Sequence, residues 1–268
     1  MQIDNSGQIR TLSWTLDAGS QHPAVHGPIQ WQLGIQGDGE DAVIATAEPL
    51  VAPLHRGVEK LFESRDYRQA LMLADRHDWH SAFGSELGLA LTIEAMSGMT
   101  VPQRATWIRT AMAELNRAIH HLRWLGETIG ELADDHSAAI ALRDECRHAK
   151  ESLVRLHEAL SGGRLHPMLV VPGGVREDTP ADWPEQLRRR AAESSGLADR
   201  LLDWISTCSV LAGIGILPRE VATSFGVSGP LARASGLALD LRFDDPYLNY
   251  AELAEAGTLI RVTRTSAD

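Results

Sequence analysis

The sequence predicts an α+β protein in which a small N-terminal antiparallel β unit is attached to a mainly α-helical bundle. Two observations carry this. Up to residue 47 the apolar side chains alternate with a period of two, and after Pro53 they recur at steps of three and four. Clusters of glycine and proline punctuate the change, so the two patterns belong to separate stretches of chain.

Three segments make up the β unit. Leu12, Trp14 and Leu16 alternate in the first, Ile29, Trp31, Leu33 and Ile35 in the second, and Val43, Ala45 and Ala47 in the third. Such alternation puts one set of side chains on one face of a pleated strand. QGDGED separates the last two segments, and its Gly37, Asp38 and Gly39 are hairpin chemistry, so residues 29–48 form one antiparallel hairpin. Between the first two strands, AGSQHPAVHGP holds His22 and His26 on a loop too rich in Pro, Gly and Ser for regular structure.

The helical part follows. Val58, Leu61, Phe62 and later Leu71 predict a short amphipathic helix and a turn within residues 55–71. Residues 80–97 carry Phe83, Leu87 and Leu91 among small residues, which predicts a helix buried nearly all round and closed by Gly98. The clearest helix has Pro102 in its first turn, then Ala105, Ile108, Met112, Leu115, Ile119 and Leu122, and is expected to end at Gly126. Only a few residues join these two helices, so they should pack antiparallel. Residues 137–160 form the next helix, stopped by glycines 162 and 163. The loop VPGGVREDTPADWP then leads to a helix over residues 184–211. Beyond Gly215 no long period remains. The expected division is a β unit at 1–53 with the HPAVHG loop, a helical bundle at 54–215, and an irregular C-terminal segment at 216–268.

Composition narrows the function. The hydrophobic fraction of 44% is ordinary for a globular core. The longest apolar runs, LVVPGG and LLDWISTCSVLAGIGIL, are interrupted before the ~20 residues of a membrane span. MQIDNSGQIRTLSW has neither the basic nor the apolar region of a secretion signal. The two cysteines, Cys146 and Cys208, lie far apart, which fits a reducing cytoplasm better than a disulfide framework. A formal charge of -11 argues against a nucleic-acid partner. LRRR at 187–190 sits within PEQLRRRAAE and reads as a solvated helix face.

Pro23 between His22 and His26 denies them the helical two-ligand pattern of zinc proteases. A histidine on so constrained a loop serves as a hydrogen-bond or proton donor, or as a satisfied structural residue. ADRHDWHSAF gathers Asp75, Arg76, His77, Asp78 and His80 around Trp79 just before a buried helix. Charges there must be paired or face a cavity or partner. The simpler alternative is a capping cluster in which Asp78 caps the next helix and compensates Arg76. Glu86 and Glu94 lie in the buried helix, with Glu114 and Arg117 three apart in the next. Pairing along or between helices explains them better than acid–base catalysis. With no GxxxxGK[ST] loop, GxSxG elbow or CxxC pair, the sequence offers no self-contained enzyme.

Several longer blocks are specific together where each alone is not: GSQHPAVHGPIQWQL, APLHRGVEKLFESRDYRQ, ELGLALTIEAMSGMTVPQRATWIRTAMAELNRAIHHLRWLG, SGGRLHPMLVVPGGVRED and GVSGPLARASGLALDLRFDDPYLNY. In this order they resemble the D-subunit family of NADH-quinone oxidoreductase, the hydrogenase-like large subunit of respiratory complex I, over residues 14–262. The resemblance implies a hydrogenase large-subunit-like fold. It also implies a translocase subunit, not active alone, that docks beside an iron–sulfur small subunit and other complex I-type subunits. Together they would enclose the chamber where quinone, the substrate, is reduced. No cofactor would be bound by this chain itself, NADH would be oxidised on other subunits, and the chain would lie at the cytoplasmic inner face of the membrane, peripheral through its partners.

The resemblance also assigns residues. His26 falls on the catalytic histidine that hydrogen-bonds or protonates the quinone headgroup, with Glu131 as its acidic partner. Arg76 and His166 fall beside the partner's terminal cluster. Trp79 stands where many members have a quinone-binding tyrosine; an indole N–H donates a hydrogen bond but does not release a proton usefully. HAKE at 148–151 and Pro28 also depart from the family pattern. After TLIRVTRTSAD the family continues for roughly its last third, which leaves a truncated, non-catalytic paralogue with a structural or assembly role as the alternative. A nickel–iron hydrogenase subunit would need two CxxC pairs, and two isolated cysteines do not supply them.

Overall fold

A computed structural model describes residues 11–18, 29–37, 42–50, 55–132, 137–210 and 212–261. The HPAVHG loop, with His22 and His26, and the hairpin tip at 38–41 lie outside the described residues.

The period-two segments are strands β1 (Thr11–Ala18), β2 (Ile29–Gln36) and β3 (Val43–Leu50), joined as an antiparallel meander in the order β1-β2-β3. Leu12 pairs with Ile35, Trp14 with Leu33 and Leu16 with Trp31, so the alternating apolar sets of both strands share one face. A register shift at Gly34/Ile35 lets β3 follow the twist of β2. Leu33 is buried, whereas Trp14, Val43 and Ile44 remain exposed. The sheet therefore contributes little to the main core.

Where the pattern predicts one short helix and a turn there are two helices, α1 (Val58–Glu63) and α2 (Tyr67–His77). Asp66 makes the difference: its side chain accepts a 2.9 Å hydrogen bond from the Gln69 N–H and starts a second helix. A 3-10 turn at Trp79–Ser81 leads into α3 (Ala82–Ser97), which ends at left-handed Gly98, φ 63°. This helix is not buried all round. Phe83, Glu86, Leu87, Ala90, Ile93 and Glu94 form one buried face, while Gly84, Gly88 and Thr92 are exposed. Small, weakly polar residues on the outer face hide the amphipathicity in the sequence.

Helix α4 (Gln103–Glu131) runs straight through Gly126. A Cβ at that position would lie 3.0 Å from the Cys146 Cβ, so the glycine serves close approach to α5 (Ser137–Ser161) instead of ending a helix. Beyond α5 a two-residue hairpin, β4 (Val170–Val171) and β5 (Gly174–Val175), is too short to show a period in sequence. Helix α6 (Trp183–Thr207) stops earlier than residue 211 because Cys208 turns extended. Among the described residues, the segment after Gly215 holds four helices of one or two turns, α7 (Arg219–Ser224), α8 (Gly229–Ala234), α9 (Leu241–Asp244) and α10 (Tyr250–Glu255). Such lengths cannot display a helical repeat.

Phe83, Met112, Cys146, Leu153, Leu169 and Trp183 lie in the core that α3 to α6 enclose. The fully buried Arg109 of α4 donates from Nη1 and Nη2 to the two carboxylate oxygens of Glu94 on α3, at 3.0 and 2.6 Å. It also donates to the carbonyls of Val171 and Gly174, while the Gly173 N–H donates to Glu94. One ion pair thus ties α3, α4 and the β4–β5 hairpin together. Burial pushes the Glu94 carboxyl up, but the Arg109 fork and the Gly173 N–H outweigh it and hold the group below the usual carboxylate range. Glu114 and Arg117 pair at 2.7 Å, and the Tyr250 hydroxyl donates to Glu114 at 2.5 Å, fastening α10 to α4. Both cysteines are free, and burial pushes the Cys146 thiol up to about 11. Among the described residues no helix is long and apolar enough to cross a membrane.

Candidate functional site

The charged cluster before α3 is built around Asp75. On α2 this residue continues the buried stripe of Leu71 and Ala74, which carries its carboxylate inside: its exposure is 0%. Arg76 follows it in the last turn, where Nη1 donates to Asp75 Oδ1 at 2.6 Å and to the Met72 carbonyl at 2.9 Å. From the far side of the sequence, His166 brings Nδ1 to 3.2 Å from the Asp75 carbonyl and 3.7 Å from Asp75 Oδ2. One buried carboxylate therefore gathers Arg76 and His166 from distant parts of the chain. Burial raises the Asp75 carboxyl above the usual range, against the pull of Arg76 and His166.

The loop that presents His166 depends on Gly163. A Cβ there would stand 2.3 Å from the His166 carbonyl oxygen, a contact that only movement of the backbone relieves. Gly163→Ala is therefore expected to destabilise the fold by about 2 kcal/mol and to loosen His166 from Asp75. Urea melts and the ring resonances of His166 would read the two effects, and unchanged resonances would contradict the second.

Asp78 caps the 3-10 turn, accepting from the N–H groups of His80 and Ser81 at 3.2 and 3.4 Å. The capping half of the simpler alternative is thus found, while the Arg76 guanidinium is held by Asp75. The turn sets Trp79 against α4, with the Arg123 guanidinium 4.6 Å from the centre of its ring, a cation–π contact. His80 meets Trp79 edge-on, with ring centroids 3.8 Å apart, and approaches His120 at 5.5 Å. Glu131, exposed, closes α4, and lies eight residues beyond Arg123, about 12 Å along the helix at 1.5 Å per residue. Arg76 and His166 come together, Trp79 finds Arg123, and Glu131 stands farther along the same helix.

Sequence reasoning does not single out Arg123 or the organising role of Asp75. A signal for Asp75 exists: it lies four residues after Leu71, on the apolar stripe of α2. Arg123 has none, because its partner ring arrives from another element.

Residues 143–256 match the family described as respiratory-chain NADH dehydrogenase, 49 Kd subunit. The chain is 44% identical to the first D-subunit of NADH-quinone oxidoreductase in Streptomyces coelicolor over 266 residues, covering 98% of this chain and 67% of that protein. The chain belongs to the NADH-quinone oxidoreductase D-subunit family. The second D-subunit of Streptomyces griseus subsp. griseus is 42% identical over 270 residues, which cover 99% of this chain and 66% of the relative. The D-subunit of Granulibacter bethesdensis is 38% identical over 259 residues, covering 94% and 62%. The chain thus spans about two thirds of the length of the curated relatives it matches. Membership of this D-subunit family agrees with the α+β architecture of a small antiparallel sheet and a helical bundle.

Proposed function

We propose that this D-subunit chain forms one wall of a quinone-reducing chamber in a complex I-type assembly, beside the terminal iron–sulfur cluster of a small partner subunit. The observation that carries the reading is the Asp75 bracket, which presents a cation, Arg76, and an imidazole, His166, from one rigid place. A cation and a histidine next to a cluster adjust its potential and follow its charge. The names of the relatives, all subunits of NADH-quinone oxidoreductase, support the subunit reading over that of a non-catalytic paralogue.

In this reading His26 is the catalytic proton donor to the quinone headgroup, Glu131 supports it, and Trp79 walls the headgroup. The stacked Arg123 keeps the indole fixed, so Trp79 offers shape and one N–H while a histidine supplies the proton. Electrons come from the partner's cluster, NADH is oxidised on other subunits, and the chain is held at the inner face of the membrane by its partners. The test is to isolate the assembled complex carrying His26→Ala. Quinone reduction is expected to fall at least ~100-fold, the usual worth of a positioned acid, with assembly intact. Wild-type turnover in that variant would overturn the assignment.

A further inference from the structure

The loop that presents His166 has an anchor on the helix before it. His157 of α5 is 3% exposed, and its Nδ1 lies 2.9 Å from the Gly163 carbonyl oxygen. A carbonyl oxygen only accepts, so Nδ1 carries the hydrogen and Nε2 is bare. Burial pushes the His157 imidazolium below the usual histidine range, against the pull of the Gly163 carbonyl, so the ring is neutral at pH 7. Ser161 closes the same knot: its Oγ accepts the Gly163 N–H at 3.2 Å and donates to the His157 carbonyl at 2.8 Å. His157 also borders a cavity of about 40 Å³ together with Trp79 and Arg123, so one ring touches both parts of the site.

Fixing the Gly163 carbonyl fixes His166, because the chain doubles back between them. The bare Cα of Gly163 packs so closely that an added Cβ would meet the His166 carbonyl oxygen at 2.3 Å. His166 Nδ1 lies 3.2 Å from the carbonyl oxygen of Asp75 on α2, so by the same rule Nδ1 carries the hydrogen there and Nε2 is left to take up a proton. From α5 to α2 the contacts are continuous. Arg164 also tethers the loop, to Glu151 and Glu158 of α5, but these pairs are exposed, and such bridges hold little. A hydrogen bond shielded from water, as at His157, is the stiffer tie.

We propose that His157 is a positioning residue: its Nδ1–H holds the Gly163 carbonyl, sets His166 beside Asp75, and thereby leaves Nε2 of His166 as the atom that exchanges a proton beside the partner's cluster. This deepens the reading of the chain as a chamber wall and rests on it for the last step alone. His157 itself touches neither quinone nor cluster; it acts through His166. Its effect depends on where the donor sits, so two substitutions separate this role from that of a space-filling side chain. In Asn the side-chain nitrogen falls about where Nδ1 does, and in Gln about where Nε2 does. His157→Asn keeps the donor to Gly163 but leaves the larger void, whereas His157→Gln fills the space better and misplaces the donor.

In the full chain, nitrogen NMR of histidine-labelled protein should show the hydrogen on Nδ1 of both His157 and His166. His157→Asn should unfold at the lower urea concentration of the two variants yet keep the wild-type His166 signals. His157→Gln should be the more stable yet show the His166 hydrogen shared between its two nitrogens. A wild-type His157 that carries its hydrogen on Nε2, or His166 signals that follow stability instead of donor position, would overturn the proposal whatever the complex does. In the assembled complex, the potential of the partner's cluster should vary with pH through the titration of His166 in wild type and in His157→Asn, and this variation should largely disappear in His157→Gln. An unaltered variation in His157→Gln would also overturn it. If the wild-type potential does not vary with pH, the proposed function fails at the cluster, and the nitrogen signals alone judge the positioning.

Discussion

Arg109→Leu is expected to cost about 3–5 kcal/mol of stability, the usual penalty for removing one partner of a buried ion pair. The size follows from what is left behind. Glu94 would keep its charge, or take up a proton, in a place shaped for a guanidinium, and the carbonyls of Val171 and Gly174 would lose their donor. Urea denaturation at neutral pH would measure the loss. The double variant Glu94→Leu/Arg109→Leu should recover part of it, since no unpaired charge remains, but not all, because the Gly173 N–H and two carbonyls stay unsatisfied. The Glu94 carboxyl titrates below its ordinary 4.5, so its contribution is present above that value and disappears as pH falls through the lower, folded-state value. The gap between wild type and Arg109→Leu should therefore narrow in acid. A loss below about 1 kcal/mol would mean that the pair behaves like a surface bridge and does not anchor the hairpin.

That bridge also shows what a sequence discloses and what it conceals. Two apolar stripes, one on each of two neighbouring helices, carry charges of opposite sign at Glu94 and Arg109. The period of three and four makes the stripes legible, and the rule that buried charges pair makes an interhelical bridge the natural reading of the helical carboxylates. Strands are equally legible, because alternation in β1 to β3 is local. Gly126 misleads for a physical reason: a glycine that ends a helix and one that admits a neighbouring helix look identical until Cys146 is seen against it. Asp66 leaves little trace because one capping side chain, not a pattern, divides α1 from α2. At the site, the pairing of Arg76 with Asp75 is local in sequence. Their meeting with His166 is long-range, and nothing in the chain's periodicity fixes it. Family resemblance supplies His166 as a candidate, and the buried carboxylate supplies the reason it belongs with Arg76.

A pH dependence opposite to that of most paired carboxylates is the other large effect expected. An acid whose folded value is raised from 4.5 to about 7 holds its proton more tightly in the folded chain than in the unfolded one. As pH climbs through that window the unfolded chain ionises first, so stability is lost with rising pH, by about 3 kcal/mol for a shift of this size. Above pH 7 both states are ionised at Glu86 and the loss is complete; below 4.5 both are protonated and it is absent. Asp75, also raised, adds in the same direction from its own lower starting point. Glu94 opposes them, but its change falls below 4.5, outside the window. Glu86→Gln keeps an acceptor for the Val170 N–H and removes the ionisation. It should therefore flatten most of the decline between about pH 5 and pH 8, so that the variant gains on wild type as pH rises. Denaturation midpoints at the two pH values would decide the matter. A parallel decline in both proteins would place the titration elsewhere, whereas a flattened one means that the fold gives up stability at neutral pH by keeping the Glu86 carboxyl buried.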